Sequence, residues 1–170
     1  MEWKLGKAGN GGLICFGLGA FLFIVGFSIA NWVTLDDSDY RAGLWRYCGE
    51  SLCRKVSSSS FKFFGNSLPA WFQFTQGFAC LAVITLICDG IARGLFVFCD
   101  QPKAYLWASI GLDVATAVLA FSAAALFGAH VEEDKFMDMS LSWGFALDII
   151  GGILISFAAA CFLAETRIHF

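Results

Sequence analysis

The sequence predicts an all-α membrane protein: a bundle of four transmembrane helices carrying a small extracellular antiparallel β-sheet. Three observations lead there. The 170 residues are 58% hydrophobic, with 19 Phe and only 2 Pro, which is too apolar for an ordinary soluble domain. The apolar residues gather into four runs, each long enough to cross about 30 Å of hydrocarbon as a helix. Between the first two runs, one long polar loop holds β-forming segments and two closely spaced cysteines.

The first run spans 12–32, "GLICFGLGAFLFIVGFSIANW", and follows Lys4 and Lys7. Ser28-Ile29-Ala30 resembles a signal-peptidase site, but the run is long for a signal core and aromatic residues flank the would-be cut, so it reads as an uncleaved helix. Residues 33–70 form the first extracellular loop. The second span is 71–95, a cytoplasmic loop covers 96–104, and the third span is 105–129. A second extracellular loop at 130–140 leads into the fourth span, 141–164, and a short tail, 165–170. The whole chain is one membrane domain. Helices are expected because lipid offers backbone groups no other partner. Trp71, Tyr105, Trp107 and Trp143 sit at the ends of runs, where interfacial rings belong.

Four spans place both termini on one side. Lys4, Lys7, Arg93, Lys103 and Arg167 lie on that side in short segments, whereas Arg41, Arg46, Arg54, Lys55, Lys62 and Lys135 lie on longer loops opposite. The density of cations favours cytoplasmic termini.

The cysteines divide by environment. Cys15, Cys80, Cys88 and Cys161 lie in apolar runs and read as small buried hydrophobes. Cys99, at the cytoplasmic edge, and Cys161, near the end of the fourth span, are candidates for palmitoylation. Cys48 and Cys53 share the first loop, which faces the oxidising side, so a disulfide is expected. Zinc would need two further ligands, and the loop holds no His and no other Cys. The segments "WVTL", "GLWRYC" and "CRKVS" read as strands of a small sheet, with Gly49-Glu50-Ser51-Leu52 as a turn. After them, Phe61, Phe63, Phe64 and Trp71 are too many exposed aromatics for an idle loop, and mark a membrane-interface or contact surface. Glu132, Glu133 and Asp134 of the second loop would complement Arg54, Lys55 and Lys62 of the first.

Trp32, then Gly43-Leu44-Trp45, then Cys48 and Cys53 resemble the W…GLW…C…C signature of the claudin superfamily, and the order of spans and loops is similar over the whole chain. The short gap between the cysteines looks most like the lens fibre and epithelial membrane protein branch. The resemblance implies a left-handed four-helix bundle under an extracellular sheet. In it, Cys48–Cys53 would pin two strands together, and Trp32, Gly43, Leu44 and Trp45 would anchor the sheet to the bundle. Two departures stand out: "PAWFQFTQGFA" lacks the Arg that claudins carry near the second span, and no Tyr-Val tail is present. Both argue against a paracellular pore of the claudin kind.

Asp89, Arg93, Asp113 and Asp148 fall inside apolar runs, where an acid at mid-bilayer costs about 2.5–3.5 kcal/mol unless partnered or wet. Asp89 and Arg93 are four apart on one helix face, and Asp113 is placed to join them. These groups cluster near the ends of the spans, so a structural polar network is favoured over an ion path. Gly17, Gly19, Gly26, Ala120, Ala124, Gly151, Gly152, Ser156 and Ala160 permit close helix contacts.

Nothing points to an enzyme, a cofactor or a nucleic-acid partner. His130 and His169 lie on opposite sides, and no phosphate loop or nucleophile–base pair is visible. The expected partners are the lipid bilayer, further copies of the chain in cis or in trans, and a channel or receptor subunit. Two functions follow: a structural, adhesive membrane protein at cell–cell contacts, or an auxiliary subunit of a channel or receptor.

Overall fold

A computed structural model describes residues 6–35, 40–49, 52–56, 68–98, 103–133 and 139–168. Its elements run α1 (Lys7–Ser28), β1 (Val33–Leu35), β2 (Arg41–Ala42), β3 (Arg46–Gly49), β4 (Leu52–Lys55), α2 (Ala70–Phe98), α3 (Lys103–Glu133), β5 (Met139–Leu141) and α4 (Trp143–Ile168). All four helices are long and apolar enough to cross a membrane. The shortest, α1, has 22 residues, or about 33 Å of axis. The chain is a multi-pass membrane protein by this measure.

Around the bundle the order is α1–α4–α3–α2, with α1 and α2 touching only sparsely. Small residues recurring every seventh position set the α1–α4 seam. On α1 they are Gly12, Gly19 and Gly26; on α4 they are Gly144, Gly151 and Ala158. A Cβ added at Gly26 would come within 2.9 Å of the Asp148 amide nitrogen, and one at Gly151 within 2.8 Å of the Phe23 nitrogen. Between helices that lipid surrounds, such close backbone approach is the main source of affinity. Gly17 and Ala160 do not belong to these contacts, contrary to expectation. Gly17 faces open space, and Ala160 is exposed.

Buried side chains form three layers along the bundle. Trp32, Val33, Leu44, Phe72, Ala79, Ala123 and Phe127 lie under the sheet. Phe23, Ala82, Leu86, Ala120 and Ile155 fill the middle. Leu106, Ile110 and Phe162 lie at the end away from the sheet. The middle layer is closed by side chains, with Phe23 and Ile155 wholly buried.

The sheet is antiparallel throughout, in the order β4-β3-β2-β1-β5. Most expected helix boundaries shift by a few residues, and three of the shifts shape the sheet. The first helix stops at Ser28, not at 32, because the Trp32 amide donates to Ala42 O (2.8 Å) and the backbone has already turned toward the sheet. The second loop does not begin at 130: α3 continues to Glu133, and Met139–Leu141 pairs with β1 as a fifth strand. Consequently α4 starts at Trp143 rather than 141. Gly49 pairs with Leu52, as the first and last residues of a four-residue turn do.

The N-terminus of α1 has no side-chain cap of its own. Glu165, buried on α4, takes that role: its carboxylate accepts from the Gly6 amide (2.7 Å) and the Gly9 amide (3.0 Å). An anion there satisfies orphan donors and meets the positive end of the helix dipole.

Candidate functional site

Two constellations carry the sequence's polar and signature residues: the stapled sheet with its anchor, and a buried charge cluster between the helices.

Cys48 and Cys53 are joined by a disulfide and lie opposite one another on β3 and β4. Trp32 is fully buried and reaches three ways. Its indole Nε1–H donates to Gly26 O (2.7 Å), its amide binds β2, and its carbonyl accepts from Ser142 N (2.8 Å) just before α4. Its ring meets Phe127 and Phe145 edge-on at 5.0 and 5.7 Å. Leu44 is fully buried, and its carbonyl accepts from Gln76 Nε2 on α2 (2.7 Å). Gly43 runs so close to the chain after α1 that a Cβ would strike Ile29 O and Ala30 Cα. The Trp45 ring packs against Phe27 (5.2 Å). Each signature position thus ties sheet to bundle for a reason a substitution would break.

Trp71 is not an exposed loop aromatic. It is half-buried and stacks on His130 at 4.8 Å, while His130 Nδ1 lies 2.9 Å from Leu126 O. Phe61, Phe63, Phe64, Asp134 and Cys99 lie outside the described residues. Glu132 and Glu133 fall in the last turn of α3. Cys161 is half-buried with a free thiol, its Cβ facing Gly12 at the α1–α4 seam.

The charge cluster sits at the end away from the sheet. Arg93 Nε donates to both oxygens of Asp89 at 3.1 Å, and Nη2 donates to Asp113 Oδ2 on α3. Ser109 donates its hydroxyl proton to Asp89 Oδ1. The rings of Phe16 on α1 and Phe162 on α4 lie 4.2 and 4.3 Å from the guanidinium carbon. Arg93 therefore touches all four helices while 4% exposed, and both aspartates are fully buried. One turn further on, Thr116 donates to Thr85 (2.7 Å) and extends the polar seam between α2 and α3. The space beside Arg93 is too tight for a water molecule.

Asp148 does not join this cluster. It is 1% exposed on α4, its backbone set against Gly26 near the sheet end of α1, and its Oδ1 has no partner among the described residues. Depth separates it: Asp148 lies in the second turn of α4 from the sheet end, whereas Asp89 lies in the second half of α2 counted from that end. Reading single residues missed Ser109, Phe16, Phe162 and Glu165. The spacing of Thr85, Asp89 and Arg93 on α2 against Ser109, Asp113 and Thr116 on α3 was a findable signal, since each set forms one helix stripe.

Among the described residues, no group of three His, Cys, Asp or Glu side chains is placed to hold a metal ion. No family model matches the chain, and no curated protein is found similar to it.

Proposed function

We propose that this chain is a structural tetraspan protein of the plasma membrane. Both termini are cytoplasmic, and the stapled extracellular sheet organises contacts between cells or between neighbouring molecules. The observation that carries this reading is the β4 edge of the sheet, which no further strand covers among the described residues. All four residues of β4 are exposed, Leu52 by 64%, and the disulfide holds the strand in place. An edge strand presents unpaired N–H and C=O groups that a second chain can satisfy, and a strand already rigid loses little entropy on pairing. The claudin-like signature, four-span layout and filled mid-bundle layer agree with a structural protein of that superfamily.

The test places the tagged protein in cells that form no junctions of their own. Enrichment only where both neighbours express it supports homophilic contact in trans, and Leu52→Glu should reduce that enrichment. Even distribution along all contacts would overturn the reading.

A second reading, an auxiliary channel or receptor subunit, draws on the outward glycines. A Cβ at Gly17, Gly77, Gly94 or Gly111 would meet nothing within 4 Å, so the bundle itself gives no reason for glycine there. Outward glycines let a foreign helix approach closely. Co-purification of a partner subunit, lost on replacing Gly94 by Leu, would favour this role.

A further inference from the structure

The residues just past α1, the first turn of α4 and one face of the sheet border an open hollow of about 490 Å³, within the range of small-ligand sites. Asn31, Arg41, Trp143 and the Cys48–Cys53 bridge line it. Its level follows from the helices: α1 ends at Ser28 and α4 begins at Trp143, so the hollow lies where apolar helix surface gives way to the sheet. Trp143 is 55% exposed there, as an interfacial ring would be. Toward the bundle, Phe21 and Ile24 of α1 and Ile150 and Ile153 of α4 present exposed apolar surface.

Register places the described cations of the roof. Arg41 lies opposite Cys48, Cys48 opposite Cys53, and Arg46 opposite Lys55. Residues paired across strands share a face, as do residues two apart along one. Arg41, Arg46 and Lys55 therefore share the disulfide's face, the one turned to the hollow, and Arg54 is on the other. Among the described residues, no carboxylate pairs with any of these three cations. Asn31 is nine-tenths buried, and its Oδ1 is without a hydrogen-bond donor among the described residues.

We propose that this hollow seats the phosphodiester headgroup of a membrane phospholipid from the leaflet on the sheet side. Arg41 binds the phosphate, Trp143 flanks the headgroup, and the acyl chains run along the exposed apolar face of α1 and α4. A guanidinium suits a phosphate through paired, charge-assisted hydrogen bonds. The bilayer supplies that group at this depth at high local concentration. The site would make the sheet's seating on the bundle depend on lipid, a property separate from any contact the outer edge makes.

Native mass spectrometry of the full chain in a phosphate-free detergent tests this. The probes are phosphatidylcholine, diacylglycerol with the same acyl chains, and inorganic phosphate. The expected result is retention of phosphatidylcholine over diacylglycerol, reduced at least about tenfold by Arg41→Gln, the loss of a charged hydrogen bond. Arg54→Gln, on the opposite face, should leave retention as in the wild type, which separates the site from general surface charge. Equal retention by wild type and Arg41→Gln overturns the proposal, as does equal retention of diacylglycerol. Displacement of the lipid by inorganic phosphate alone would assign the hollow to a free anion and overturn the lipid assignment.

Discussion

Replacing Arg93 by Met isolates what the buried charge cluster does. Met keeps much of the side-chain length and removes the guanidinium, leaving Asp89 and Asp113 fully buried with no cation between them. Removing one partner of a buried ion pair costs about 3–5 kcal/mol, because the other charge stays behind uncompensated. Losing the contacts with the Phe16 and Phe162 rings adds roughly 1–2 kcal/mol. In a chain of this size, a loss of that order lowers the melting temperature by on the order of 10–20 °C. Thermal unfolding of the purified protein in detergent, followed by size-exclusion chromatography after heating, reads it directly. A triple variant that also carries Asp89→Asn and Asp113→Asn removes every charge and should recover most of the loss, since neutral side chains bear no such burial penalty. Two outcomes would refute the reasoning: Arg93→Met melting with the wild type, or the triple variant no better than the single one. Either would mean that the cluster does not hold the helices together.

Three further outcomes follow from the same contacts. Changing both Cys48 and Cys53 to Ser should cost about 2 kcal/mol, the chain-entropy value for so short a loop, and reducing agent should then cease to lower the melting point. Glu165→Ala should cost about 1–3 kcal/mol by leaving the Gly6 and Gly9 amides without an acceptor, and hydrogen exchange should quicken at Gly9. At the α1–α4 seam, Gly26→Ala forces a methyl against α4 backbone and should cost about 1–3 kcal/mol. Gly17→Ala, facing open space, should stay within about 1 kcal/mol of the wild type in the same melting assay.

What could be read in the chain and what could not divides along physical lines. Hydropathy is a local sum, so four spans follow from the four apolar runs, and every helix end that moved did so by a few residues. The cysteine pair is also local: five positions apart in a β-rich loop, Cys48 and Cys53 face each other across a hairpin. Asp89 and Arg93 were legible for the same reason, being one helical turn apart. Asp148 was legible both as a buried acid and as lying near the opposite end from the others, because depth along a span is counted from residue position; that its Oδ1 meets no donor among the described residues was not. The stack of Trp71 on His130 was not legible, since nothing nearby in sequence foretells it.

Sequence alone thus determined the number of spans, the stapled hairpin and the chemistry available inside the membrane, all consequences of neighbours along the chain. Only the tertiary structure decided which residues meet across long separations. It paired Met139–Leu141 with Val33–Leu35 to complete the sheet. It brought Glu165 of the last helix to cap the first, and it set Phe16 and Phe162 on either side of Arg93. Such contacts depend on how helices rotate and shift against one another. That rotation is set by packing of small residues such as Gly19 and Gly151 on facing helices, which carry little signal until their partners are in place.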